Sequence, residues 1–348
     1  MLKKWLTISA IALLLLVGCS KKDKVVGPQE ENTENEVIEP EVNDQEKEQP
    51  FHFPLTGVGS STEAEGRAVA VMINNHPAAR PQSGLNKADI VYEVLAEGDV
   101  TRFLAIFQSE QPDSVGPVRS ARSYYIELAK GFDSLYIAHG NSPDAKEMLD
   151  DGYIDVLNGL YYDGTLFKRA SFRKAPHNSY ITYDNILKGA NQNGYEMEQA
   201  PPSLPFLTKD QAKELVGEQA NHISISYYDQ ISNSSFEYDE NLQKYKRFSN
   251  EKQTVDYDTE DPVLIDNVLI IETKHLIIDN SGRRDIDFTA GGKAFLVQKG
   301  KKIDVEWRNV DGRVLPYKDG KVAGLVPGKT WINVMPTDPG IEQSISFE

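Results

Sequence analysis

Two short stretches of this acidic chain are free of carboxylates and rich in arginine. One is Gly116-Pro-Val-Arg119-Ser120-Ala-Arg122-Ser123, and the other runs Lys168-Arg169-Ala-Ser-Phe-Arg173-Lys174-Ala-Pro-His177-Asn178. Guanidinium forks fit the oxygen geometry of phosphate and carboxylate. The first stretch is expected to open a helix, whose free N–H groups and partial positive charge would reinforce the attraction. Arg80, Arg102, Arg119, Ser120, Arg122, His139, Ser142, Arg169, Arg173 and His177 therefore form a candidate site for an anionic ligand. A structural reading competes with it: Glu93, Glu97 and Asp99 are available to pair with these arginines across the fold. His139 and His177 carry the stronger histidine signals, and His52, His76, His222 and His275 the weaker ones.

Binding of an anionic envelope component or a partner protein is the leading expectation. The alternative is a phosphotransferase or hydrolase acting on an envelope polymer. His139 would then be the acid or base, the arginines would stabilise phosphoryl charge, and Asp89, Glu93 or Asp99 would hold a divalent metal. The chain has no Gly-x-Ser-x-Gly elbow and no His-Glu-x-x-His, which weighs against catalysis. No cofactor or resident metal is expected. Three weaker signals have simpler readings. Gly324 to Thr330 lacks the spacing of a phosphate loop. Trp307, Tyr317 and Trp331 suit core packing better than a sugar platform. Asp256, Asp258, Glu260 and Asp261 suit a polar turn better than a calcium loop.

The elements that must position the arginines are legible as alternating strands and helices. Residues 67–73, 88–95, 101–107 and 134–138 read as strands. Residues 120–130 read as a helix stopped by Gly131. Ser142-Pro143-Asp144 reads as the capped start of another helix, closed near Gly152. This predicts a layered α/β domain with a mixed sheet over 51–200, with ligands beyond the carboxyl ends of its strands. Pro201 to Pro205 reads as a stiff linker. Over 206–348, a Thr208–Gln211 capping box opens a short helix. Alternating runs at 223–227, 268–272, 294–298, 303–307 and 331–335 then predict a mostly antiparallel β domain.

Residues 1–18 combine Lys3 and Lys4 with an apolar run too short to span a bilayer, followed by Cys19, the sole cysteine. Leu16-Val-Gly-Cys19 resembles a bacterial lipobox, which implies lipidation of Cys19 and a lipid anchor on the extracytoplasmic face. Residues 29–50 hold nine acids against Lys47, half of the formal net charge of -16, and read as an extended tether over 19–50. With Cys19 committed to the anchor, no thiol is left for a disulfide, a metal or a nucleophile. The acidity argues against nucleic acid as a partner.

Pro81-Gln-Ser-Gly-Leu85, Ala88-Asp-Ile-Val-Tyr-Glu93, Thr101-Arg-Phe103, Gly116 to Arg122, Ala175-Pro-His-Asn178 and Gly328-Lys-Thr-Trp331 together resemble the YerB-type lipoprotein family. The resemblance covers nearly everything after the tether. It implies a two-domain, membrane-anchored envelope lipoprotein and no particular reaction. The arginine loop is also similar in its site physics to the LytR-CpsA-Psr phosphotransferases. The Arg-Asp pair of those enzymes is replaced here by Arg119-Ser120 and Arg122-Ser123.

Overall fold

The computed structural model describes residues 49–228 and 230–348; Cys19, the expected leader and nearly all of the acidic stretch lie outside them. Three apolar runs of the first half form strands buried along their whole length: β1 (Val69–Asn74), β2 (Ile90–Leu95) and β3 (Thr101–Phe107). Continuous apolar sequence is what a strand covered on both faces requires. α1 (Ser123–Lys130) leads to β4 (Leu135–Ala138), and α2 (Pro143–Asp150) leads to β5 (Val156–Asn158). β6 (Phe167–Arg169) and β7 (Ser179–Thr182) form a small antiparallel sheet, followed by α3 (Tyr183–Asn193).

In the second half, β8 (His222–Ile225), β9 (Ser234–Asp239) and β10 (Lys244–Ser249) belong to a separate antiparallel sheet. β11 (Asn267–Thr273), β12 (Gly292–Gln298), β13 (Lys301–Val310), β14 (Arg313–Lys318) and β15 (Thr330–Pro336) instead join the sheet of the first half. The terminal strand β16 (Ile345–Phe347) returns to the edge of this separate sheet, beside β8. The central sheet therefore runs β14-β13-β12-β11-β15-β2-β3-β1-β4-β5. β15 lies parallel to both neighbours, with Thr330 opposite Ile90 on one side and opposite Asn267 on the other.

The molecule is sheet-rich with few helices. The α/β layering expected of the first half is not confirmed: β4–α2–β5 is a parallel passage, but β1, β2 and β3 pair antiparallel. The second half is mostly antiparallel, as its alternating runs predict. Pro201 to Pro205 is packed against both halves: Leu204 is buried, its N–H donates to the Pro54 carbonyl at 3.0 Å, and Leu325 N–H donates to the Pro205 carbonyl at 2.8 Å. One face of the central sheet packs on α3 and the β8–β10 sheet, through residues such as Ile186, Ile223 and Phe236. The other face packs on Tyr124, Tyr125 and Leu128 of α1 and Ala145 of α2. Trp307 and Trp331 are fully buried core residues, so neither offers a surface platform.

α1 begins at Ser123, later than its apolar spacing predicts, because the arginine loop has a better use for its backbone. Val118 pairs with Ile73, Arg119 N–H donates to the Met72 carbonyl at 2.8 Å, and Ala121 N–H donates to the Gly140 carbonyl at 2.9 Å. The loop is an extended ribbon laced across the carboxyl ends of β1 and β4. The amides of Arg119 and Ala121 are consumed there, so these N–H groups are not the free donors of a helix start.

Candidate anion-binding site

The arginines named from sequence divide sharply by partner. Arg102 and Arg122 both form ion pairs with Glu97, and Arg102 also donates to the Ser120 carbonyl at 2.8 Å. Arg169 grips Asp163 through two nitrogens, at 2.9 to 3.1 Å. Arg173 donates to the carbonyls of Ala79 and Pro81 and lies over the Tyr257 ring at 5.2 Å. Arg80 donates to the Asn75 carbonyl and side-chain oxygen, both at 3.0 Å, and to the Ile231 carbonyl at 2.9 Å. These contacts fix loops; of the three acids named from sequence, Glu97 pairs with two of these arginines, whereas Glu93 and Asp99 face Arg247 and Arg284.

Arg119 differs from the others. Its half-buried guanidinium has no hydrogen-bond or carboxylate partner among the described residues. Burial and the nearby Arg102 charge lower its pKa to about 10, which leaves it cationic at neutral pH. Its charge reaches three imidazoles. His76 is held below the usual range by burial, then by Arg80 and Arg119. His177 is lowered by burial, His76, Arg119 and Arg173. His139 is lowered by burial and Arg169, with Arg119 adding to them against the opposing pull of Asp163.

The tautomers follow from the donors. Asn74 Oδ1 accepts from His76 N–H at 3.0 Å, so its amide nitrogen donates to His177 Nδ1 at 2.8 Å. His76 Nδ1 accepts from Ala78 N–H at 3.1 Å. The two rings stack with centroids 4.5 Å apart, and each carries its proton on Nε2. His139 has the opposite tautomer. Arg169, a pure donor, lies 2.7 Å from Nε2, so the proton sits on Nδ1 and is donated to Ser179 Oγ at 2.7 Å. Ser120 Oγ donates to the His139 carbonyl at 3.2 Å, tying that loop to the arginine ribbon. Ser142 occupies the N-cap position of α2 with extended backbone, but its hydroxyl makes no capping bond, contrary to the expectation from sequence.

Gly159 is what lets the His139 ring sit here, since a Cβ at that position would lie 2.1 Å from His139 Nδ1. Gly159→Ala is therefore expected to expel the ring and break its bonds to Ser179 and Arg169. Imidazole ¹⁵N chemical shifts would report loss of the Nδ1–H tautomer; an unchanged pattern would contradict this packing.

The carboxylates considered as metal ligands are occupied and dispersed. Asp89 accepts from the backbone of Gln108 and Ser109 at 2.6 and 2.8 Å, Glu93 pairs with Arg247 at 2.8 Å, and Asp99 lies 3.6 Å from Arg284. Asp256 is a buried turn-former that accepts from Gly84 N–H at 2.6 Å and Asp258 N–H at 2.9 Å. Among the described residues, no group of three or more His, Cys, Asp or Glu could hold a metal.

A family model described as the N-terminal domain of a protein of unknown function, DUF3048, matches residues 55–196, and the C-terminal domain of the same description matches residues 223–332. A Bacillus subtilis (strain 168) protein named "Putative lipoprotein YerB" is 46% identical over 340 residues, covering 96% of each chain. The chain belongs to the YerB-type DUF3048 family. The crystal structure of YerB protein from Bacillus subtilis is 47% identical, with a TM-score of 0.79, over 85% of this chain and 99% of that one. Every residue of the candidate site lies within the segment matched by the family's N-terminal domain.

Two further residues shape this region without a strong signal in the sequence. His76 follows a buried strand within the polar loop Asn74-Asn75-His76-Pro77, the same pattern that singles out His139. Arg247 had no local signal: it alternates regularly within β10, yet it reaches Glu93 with both groups fully buried.

Proposed function

We propose that this chain is a lipid-anchored envelope protein, held through Cys19 on the extracytoplasmic face, that binds an anionic envelope component through Arg119. The lipobox-like Leu16 to Cys19 and the name of the Bacillus subtilis relative support the anchor. Among the described residues, no helix is long and apolar enough to cross a membrane. The observation that carries the binding role is the unpartnered Arg119 guanidinium, set among cations and beside the stacked His76–His177 pair. The Nε2–H groups of that pair have no partner among the described residues. A half-buried cation without a counter-charge is costly, and an incoming anion would supply the missing partner. The catalytic alternative has less support, because the Nε2 lone pair a general base would use on His139 already faces Arg169.

Sulfate titration of the full-length chain tests this reading, since sulfate does not itself titrate in the useful pH range. Saturable 1:1 binding by calorimetry is expected, and absence of heat with unchanged melting would overturn it. Retention of molecules from envelope fractions, identified by mass spectrometry, would then name the natural ligand.

The histidines add a pH signature. His76 and His177 have folded-state pKa values below 6.5, so the unfolded chain binds more protons just below that pH, and stability falls as pH drops through it. His275, whose buried ring is pushed down to about 3 by burial and Arg284, contributes with the same sign. Sulfate should lessen the decline, because an anion favours the protonated rings. Melting temperatures measured from pH 7.5 to 5.5 should show a shallower slope with sulfate. A slope indifferent to sulfate in wild type would separate the histidines from the anion site.

A further inference from the structure

The Arg119 site has a fixed polarity, and one buried residue holds it. Asn74 ends β1 and is only 3% exposed. Its N–H donates to the Pro117 carbonyl at 2.9 Å, and its carbonyl accepts from Gln82 Nε2 at 3.1 Å. The side chain is equally committed. A flipped amide would turn its NH2 onto the backbone N–H of His76, donor against donor, so Nδ2 has to face His177 Nδ1. That forbids a proton on Nδ1 of the neutral His177 ring and places it on Nε2. At His76 the backbone N–H of Ala78 enforces the same choice.

Everything these three side chains present to a ligand is consequently a donor. Arg119 has N–H groups only, and both imidazoles offer Nε2–H. The charges acting on them come from Arg80, Arg102, Arg173 and one another, with no carboxylate among them. A ligand oxygen that carries a hydrogen would meet a donor there and leave a hydrogen bond unmade. Resting on the anion-binding reading above, we propose that this site selects fully ionised oxyanions over those that keep an acidic proton, and that Asn74 sets the preference. Asn74 acts through His177 and is a positioning residue.

Sulfate and inorganic phosphate test this at pH 8, where both are largely dianions of one shape and only phosphate keeps a proton. Both rings are neutral there, because their pKa values lie below 6.5. In NMR titrations of the full-length chain, wild type should bind sulfate about fivefold tighter than phosphate, the worth of one hydrogen bond. Asn74→Asp sets an acceptor against His177 Nδ1, draws the proton there and turns the Nε2 lone pair toward the ligand. Its added charge weakens both dianions alike, so the affinity ratio reports polarity alone. The sulfate preference should vanish, and ring ¹⁵N shifts should show His177 in the Nδ1–H form. Asn74→Leu adds no charge and should move the ratio the same way; it decides the matter if the Asp variant melts early. An unchanged ratio in a folded variant, or Nδ1–H on wild-type His177, overturns this proposal while leaving anion binding in place. Absence of any sulfate binding by wild type overturns the anion-binding reading and this proposal with it.

Discussion

Arg119→Ala is expected to weaken sulfate binding about 10- to 100-fold without lowering the melting temperature. A hydrogen bond to a charged group contributes about 1.5–3 kcal/mol, and each 1.4 kcal/mol is about tenfold in affinity. Stability should hold or rise, because the guanidinium has no hydrogen-bond or carboxylate partner among the described residues and is repelled by Arg102. Arg119→Lys should retain part of the affinity, since a point charge remains but the fork is lost. Arg102→Ala should behave differently, because it strips one of two cations from Glu97 and removes a bond to the Ser120 carbonyl. Calorimetry paired with scanning fluorimetry separates the two behaviours. A large fall in melting temperature for Arg119→Ala would place that residue with the structural arginines.

Arg247→Ala is expected to cost about 3–5 kcal/mol of stability, the usual penalty for orphaning one member of a buried ion pair. Glu93 and Arg247 are 0% and 1% exposed, and the carboxylate receives every donor the core can aim at it. Arg247 donates to both oxygens at 3.0 and 2.8 Å, Trp331 Nε1 at 3.1 Å, Thr101 Oγ1 at 3.0 Å and Asn75 Nδ2 at 3.3 Å. The guanidinium is stacked 4.6 Å from Trp331 and 5.2 Å from Phe103. Urea denaturation should show the midpoint falling steeply for Arg247→Ala. The double variant Glu93→Gln, Arg247→Met should lose less than the single, because no uncompensated charge is left inside. A small effect of Arg247→Ala would mean that water enters to solvate Glu93.

What could be read from the sequence was whatever depends on neighbours along the chain. β3 was predicted at its observed bounds, and the Pro143 helix start and the Thr208–Gln211 capping box appear as expected. Such features need only a few consecutive side chains. The roles of the arginines were not legible, because pairing is a long-range fact. Glu97 takes both Arg102 and Arg122, which leaves Arg119 without a partner among the described residues, and no spacing rule distinguishes these three. The start of α1 was misplaced for the same reason: the carbonyls that draw residues 119–121 into extended backbone belong to Met72 and Gly140. The insertion of β15 beside β2 joins residues 330 and 90, a pairing with no local signature.

That insertion also governs timing. The slot between β2 and β11 is filled by residues 330–336, about 240 positions after β2, so the centre of the main sheet stays open until that late segment docks. Strands paired across such sequence separations close late and slowly. Until that docking, β2 and β11 each present an unpaired edge, so the two flanks of the central sheet are joined only by the last of its strands to arrive.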